Sequence, residues 1–241
     1  MDRALVPALV LAVGIAGGGY FAGSGFARGR ADTRFVEVKG LAEREVNADL
    51  ALWPLRVAAS GDDLAAVQSQ ITRAADLVLA FLERNSIPAA SAEIQNLQVT
   101  DAKTERYGTD RSSAPRFIIE QTIMVRSEQP ELVRTASQKV GELVAAGVVL
   151  SSSGEYGITG PTFIFNGLNA LKPAMIAEAT ANARAAAEQF ARDSGSTLGG
   201  IRQANQGVFV ILPRDQAPGV QEGSQLRKTV RVVSTVQYFL D

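Results

Sequence analysis

Cysteine and histidine are both missing from this 241-residue chain, which removes the only thiol and the only side chain that titrates near neutrality when unperturbed. Zinc and copper sites of imidazole or thiolate, Cys nucleophiles, Ser-His-Asp triads, thiol redox cycles and disulfides are thereby excluded. Carboxylate, lysine and tyrosine chemistry remain. A basic excess is lacking too: 24 lysines and arginines stand against 25 aspartates and glutamates, so the chain has no general attraction for nucleic acid. Aromatics are few, with one Trp and four Tyr.

What is present first is a run from Ala4 to Ala27 without a charged side chain. As a helix it measures about 36 Å, enough to cross a bilayer core. Two readings compete. A cleaved secretory signal has the charged start Asp2-Arg3, an apolar core from Leu5 to Ile15, and small residues at Gly25 and Ala27. A retained anchor accounts for the greater length, for Tyr20, Phe21 and Phe26, and for the stop at Arg28 and Arg30, a pattern similar to an interfacial belt. Gly14 and Gly18, Gly19 and Gly23, and Gly25 and Gly29 stand four apart, a spacing that lets helix backbones approach in lipid. Arg28, Arg30 and Arg34 outnumber Arg3, which by charge alone keeps the body cytoplasmic, yet large domains translocate regardless of such flanks. The expected division is an anchor or uncleaved signal over 1–30 and an α+β body over 31–241, as one domain or two subdomains.

In the body, Arg34 to Ser60 reads as two strands with breaks near Gly40 and Asn47. Pro54 cannot donate a ladder hydrogen bond and predicts an edge or a bulge there, while Trp53 reads as a core aromatic. Asp62 or Asp63 caps a helix through Leu64, Val67, Ile71, Ala74, Val78 and Phe81 that stops before Ser86-Ile87-Pro88. Strands follow at Ala92–Thr100 and Phe117–Arg126, with a polar loop between them. Pro130 opens a second helix through Leu132, Ala136, Val140 and Leu143, closed by Gly147. A strand near Tyr156–Phe165 precedes a third helix from about Asn169 to Phe190, with Pro173 in its first turn and Gly195 at its stop. The last strands are Gly200–Leu212 and Lys228–Leu240, separated by the loop from Pro213 to Arg227. The order ββαββαβαββ is α+β: an antiparallel or mixed sheet layered by helices, preceded by one N-terminal transmembrane helix.

Chemistry is sparse. Glu43, Arg44 and Glu45 beside Asp49 form the one carboxylate cluster that could divide acid and base roles, although near-consecutive charges at a turn are usually a solvated face. Gly195, Gly199 and Gly200 follow a helix and precede a strand, the reverse of a phosphate cradle, and read as stop and turn residues. Asn205-Gln206-Gly207 and Leu212-Pro213-Arg214-Asp215 are more distinctive; for Arg214 and Asp215 a turn closed by a local ion pair outweighs a subunit contact or anion site. Tyr107 and Tyr156 read as surface or packing aromatics. No catalytic, cofactor-binding or metal-ligating residue is assigned.

Phe35-Val36-Glu37-Val38-Lys39-Gly40 with Ala48-Asp49-Leu50-Ala51, Ile176-Ala177-Glu178-Ala179 through Asn182-Ala183-Arg184 to Ala187, and Gly195-Ser196-Thr197-Leu198-Gly199-Gly200-Ile201 together resemble the SIMPL-domain family over Arg34 to Asp241. These signatures carry architecture rather than an active-site motif. The resemblance implies a bacterial envelope protein linked to oxidative-stress defence, assembled in some members into ring-like homo-oligomers and without an established enzymatic activity. With no Cys and three Met, any protective role is indirect. The expectation is therefore a non-enzymatic homo-oligomer, without a cofactor, tethered as a single-pass protein of the inner membrane with a periplasmic body. Subunits are expected to meet through strand edges and the loops around Tyr107 and Arg214. The alternative is a periplasmic small-ligand or partner-binding module, and a third reading is a hydrolase using Glu43, Glu45 and Asp49.

Overall fold

The structure, a computed structural model, describes residues 5–31, 34–103, 115–151 and 160–241, with side chains from 11 to 25 in the first helix. Tyr107, Tyr156 and the first part, 156–159, of the strand expected near Tyr156–Phe165 lie outside the described residues; its later part holds the short strand Thr162–Ile164.

Helix α1 runs from Leu5 to Ala31. The uncharged run is thus helical, as expected, but among the described residues no helix is long and apolar enough to cross a membrane. Gly14, Gly17, Gly18, Gly19, Gly23 and Gly25 dilute the apolar side chains along it.

Two antiparallel strand systems follow, where a single layered sheet had been the expectation. Strands β1 (Phe35–Asn47), β9 (Arg227–Leu240) and β7 (Leu198–Gln206) pair in that order, and β8 (Val210–Pro213) joins β9. Strands β3 (Ala92–Asp101), β4 (Phe117–Ser127), β2 (Leu50–Gly61) and β5 (Val149–Leu150) form the other sheet, with β6 (Thr162–Ile164) also on β2. Strands β1 and β2, two residues apart, therefore belong to different sheets and make no hairpin. The Ala48 N–H donates to the Leu226 carbonyl and the Asp49 N–H to that of Ile164, so the backbone there is already committed elsewhere.

The chain divides into two compact units. Unit 1 comprises 1–43, 171–210 and 231–241, and unit 2 comprises 44–170 and 211–230. In unit 1 the core joins Val36, Val236, Tyr238 and Leu240 from strands to Ala183, Ala187 and Ala191 of helix α5 (Leu168–Asp193). The break expected near Gly40 is absent, since β1 runs through it; Gly40 lies under this helix, where an added Cβ would sit 1.8 Å from the Ala179 carbonyl oxygen and 2.4 Å from the Ala183 nitrogen. Helix α5 ends at Gly195 with φ +68°, as its position after the last apolar turn predicts.

Unit 2 packs helix α2 (Leu64–Arg84) on its sheet through Val67, Ile71, Val78, Phe81 and Leu82, around Trp53, Ile119 and Ile123. Asp63 caps α2 by accepting the Ala66 N–H at 2.9 Å. The expected second helix is two: α3 (Pro130–Gln138) and α4 (Gly141–Ala145). Lys139 and Glu142 donate to carbonyls three residues back, a tight turn entered just before Gly141, a poor helix former. Pro54 sits in the gap its missing N–H requires: β6 pairs Leu50–Leu52 and β5 pairs Val57–Ala58, and among the described residues neither reaches Pro54. The expected strand Gly200–Leu212 is also divided, into β7 and β8; just past β7, Gly207 still donates its N–H to the Val233 carbonyl at 2.9 Å, an approach so close that an added Cβ would lie 2.6 Å from that oxygen.

Candidate functional site

The carboxylate cluster does not converge. Glu43 pairs with Arg231 in unit 1. Glu45 belongs to unit 2, 3.8 Å from the Arg214 guanidinium. Asp49 accepts the N–H groups of Asn166 and Gly167, each at 2.9 Å, and the Asn166 side-chain amide at 3.1 Å. These donors lie just before Leu168, so the carboxylate fixes the entry to α5. Three acids that are neighbours in sequence thus serve three separate structural contacts and are not gathered around one space.

Arg214 and Asp215 form the expected local ion pair, at 4.0 Å, and a shorter set of contacts also closes their loop. Gln225 supplies these, accepting the Asp215 N–H at 3.0 Å and donating to the Asp215 carbonyl at 3.1 Å. Below this loop an open cleft of about 640 Å³ is lined by Arg134, Arg214 and Arg227 with Glu131 and Asp215. Arg134 is held by Glu131 at 2.8 Å. The cleft is therefore a mixed-charge surface with little excess of one sign.

Lys228 had no signal in the sequence beyond its place at the start of a strand, yet it is fully buried. Its ammonium donates to the Glu222 carbonyl at 2.8 Å and pairs with the Glu222 carboxylate. A buried cation needs such partners, and here they strap the short 3-10 turn Glu222–Ser224 onto unit 2. Trp53 is a core residue, 2% exposed. Among the described residues no group of three or more acids could hold a metal ion.

The surface that the sequence reading missed is the outer strand of unit 2. Strand β3 pairs with β4 and, among the described residues, with nothing on its other side. Its Ile94, Leu97 and Val99 are each about half exposed. Asn96 takes a φ of +34°, and the register slips by one residue between Gln95 and Leu97. That bulge puts the three apolar residues opposite Ile123, Gln121 and Ile119 of β4, on the face that Ile119 and Ile123 bury. The available signal was apolar spacing of three and then two, which no regular strand gives.

A family model named SIMPL, described as a protein of unknown function (DUF541), matches residues 36–238. None of the curated proteins compared with the chain matches it.

Proposed function

The chain belongs to the SIMPL family, and on that premise we propose that it is a non-enzymatic, membrane-tethered envelope protein that works by assembling with copies of itself. The observation that carries this reading is the pair of sheets whose outer strands β1, β7 and β3 have a neighbour on one side only among the described residues. Open edges are templates for further strands. Leu41 on β1, Ile201 on β7 and Ile94 on β3 are also exposed, which favours covered edges over solvated ones. The carboxylates that would serve a hydrolase are engaged in structural contacts instead, which supports a role in binding and assembly rather than turnover.

The tether is α1. Its support is the uncharged run Ala4–Ala27, a length of 27 residues, and Leu11, Val13, Ile15, Tyr20 and Phe21 all more than 60% exposed. Glycine at four-residue spacing suits a helix that enters lipid packed against another. The body then lies in the periplasm of a single-pass inner-membrane protein. The part in oxidative-stress defence rests on the family resemblance and is indirect, since the chain has no thiol to oxidise.

Analytical ultracentrifugation of the full chain in detergent tests the assembly: a mass several times 25.5 kDa is expected, and a monomer at every concentration overturns it. Alkaline extraction of membranes tests the tether. Retention in the pellet is expected, and release into the supernatant removes it.

A further inference from the structure

We infer that the partner of the β3 edge is a second copy of this chain, adding antiparallel about a two-fold axis at Leu97 so that two five-stranded sheets become one. This rests on the self-assembly proposed above and names the surface that performs it.

The argument is one of self-complementarity. An isologous two-fold contact requires that a strand match its own reverse. Around Leu97, β3 reads Ile94, Gln95, Leu97, Gln98, Val99 once the bulged Asn96 is set aside. In either direction the pattern is apolar, Gln, Leu, Gln, apolar. Pairing across the axis sets Ile94 against Val99, Gln95 against Gln98 and Glu93 against Thr100. Each pair lies on one face of the sheet, and no carboxylate faces a carboxylate. A regular strand without the bulge would place Ile94 on the opposite face from Leu97 and Val99, and the palindrome would fail.

The occupant is taken to be a strand, because alternate residues of β3 turn their backbone N–H and C=O away from β4, and among the described residues no strand pairs with that side. The apolar side chains run directly into the unit 2 core through Ile119 and Ile123, both fully buried. A partner strand carrying the same triad extends that core across the axis and takes six half-exposed side chains out of water together. A polar or acidic strand would leave them wet.

The absence of cysteine makes the test clean. Opposed residues of antiparallel strands have Cα atoms about 4.5–5.5 Å apart, within the span a disulfide bridges. Under mild oxidation of the full chain in detergent, Leu97→Cys is expected to form a disulfide dimer about tenfold or more faster than Ser69→Cys on the exposed side of α2. Leu97→Lys, which sets like charges across the axis, is expected to lower the assembled mass while far-ultraviolet circular dichroism is unchanged. If the wild-type chain assembles but Leu97→Cys crosslinks no faster than Ser69→Cys, the β3 contact is overturned and self-assembly stands. If the wild type is monomeric throughout, both fall. Should Leu97→Lys not fold, the crosslinking rates alone decide.

Discussion

In unit 1 the helix meets its strands through Ala183, Ala187 and Ala191, whereas in unit 2 α2 meets its sheet through Ile71, Val78, Phe81 and Leu82. The first arrangement draws backbones together until Gly40 and α5 touch. The second fills the same kind of space with side-chain volume. Each is close-packed, and close packing is sensitive to change in either direction. The two differ in which direction hurts: unit 2 is vulnerable to lost volume, unit 1 to added volume.

Four measurements would break or sharpen that contrast. Phe81→Ala, at a fully buried position, is expected to destabilise unit 2 by about 4 kcal/mol in urea unfolding; a loss under about 1 kcal/mol would mean that the core collapses around the cavity. Gly40→Ala is expected to cost about 3 kcal/mol, because its one added carbon meets helix backbone rather than a movable side chain. A neutral Gly40→Ala would abolish the contrast. Asp63→Ala removes the α2 cap and should cost about 1 kcal/mol, a local loss read by hydrogen exchange in the first turn of α2.

The smallest effect concerns Asp101, whose carboxyl is held below the ordinary aspartate range by hydrogen bonds from the Arg116 guanidinium and the Lys103 N–H. Because the folded value is the lower one, its contribution is fully present above about pH 4, the unfolded aspartate range, and is lost as pH falls through the folded value. Arg116→Gln should move that carboxyl back upward in an NMR titration and flatten the acid limb of unit 2. An unmoved titration would leave the Arg116 contact without effect.

Much of this contrast was legible in the chain. The apolar recurrence from Leu64 to Phe81, the alternation from Val230 to Leu240, Pro130 at a helix start and Gly195 at a helix stop each follow from local geometry that the residue itself imposes. The α5 alanines were readable as a sign of close packing. What escaped was long-range. Gly40 gives the same signal whether it ends a strand or lets a helix press on one, and only the distant Ala179 and Ala183 decide between them. Two strands separated by Ala48 and Asp49 look like a hairpin until Leu226 and Ile164 take up the hydrogen bonds. The candidate site failed for the same reason: Glu43, Glu45 and Asp49 are close in number, but Arg231, Arg214 and Asn166, the groups that claim them, lie more than a hundred residues on. The β3 stripe was hidden by a single bulged residue that defeats any fixed period.

The path of the backbone between the units has a consequence for biogenesis. The chain passes from one unit to the other at 43/44, 170/171, 210/211 and 230/231, so neither unit corresponds to a continuous stretch of message. Strand β9, between β1 and β7, leaves the ribosome after both of them. Until it arrives, β1 and β7 have no shared neighbour, and the early portion of the polypeptide must wait, unpaired, for a segment translated nearly two hundred codons later.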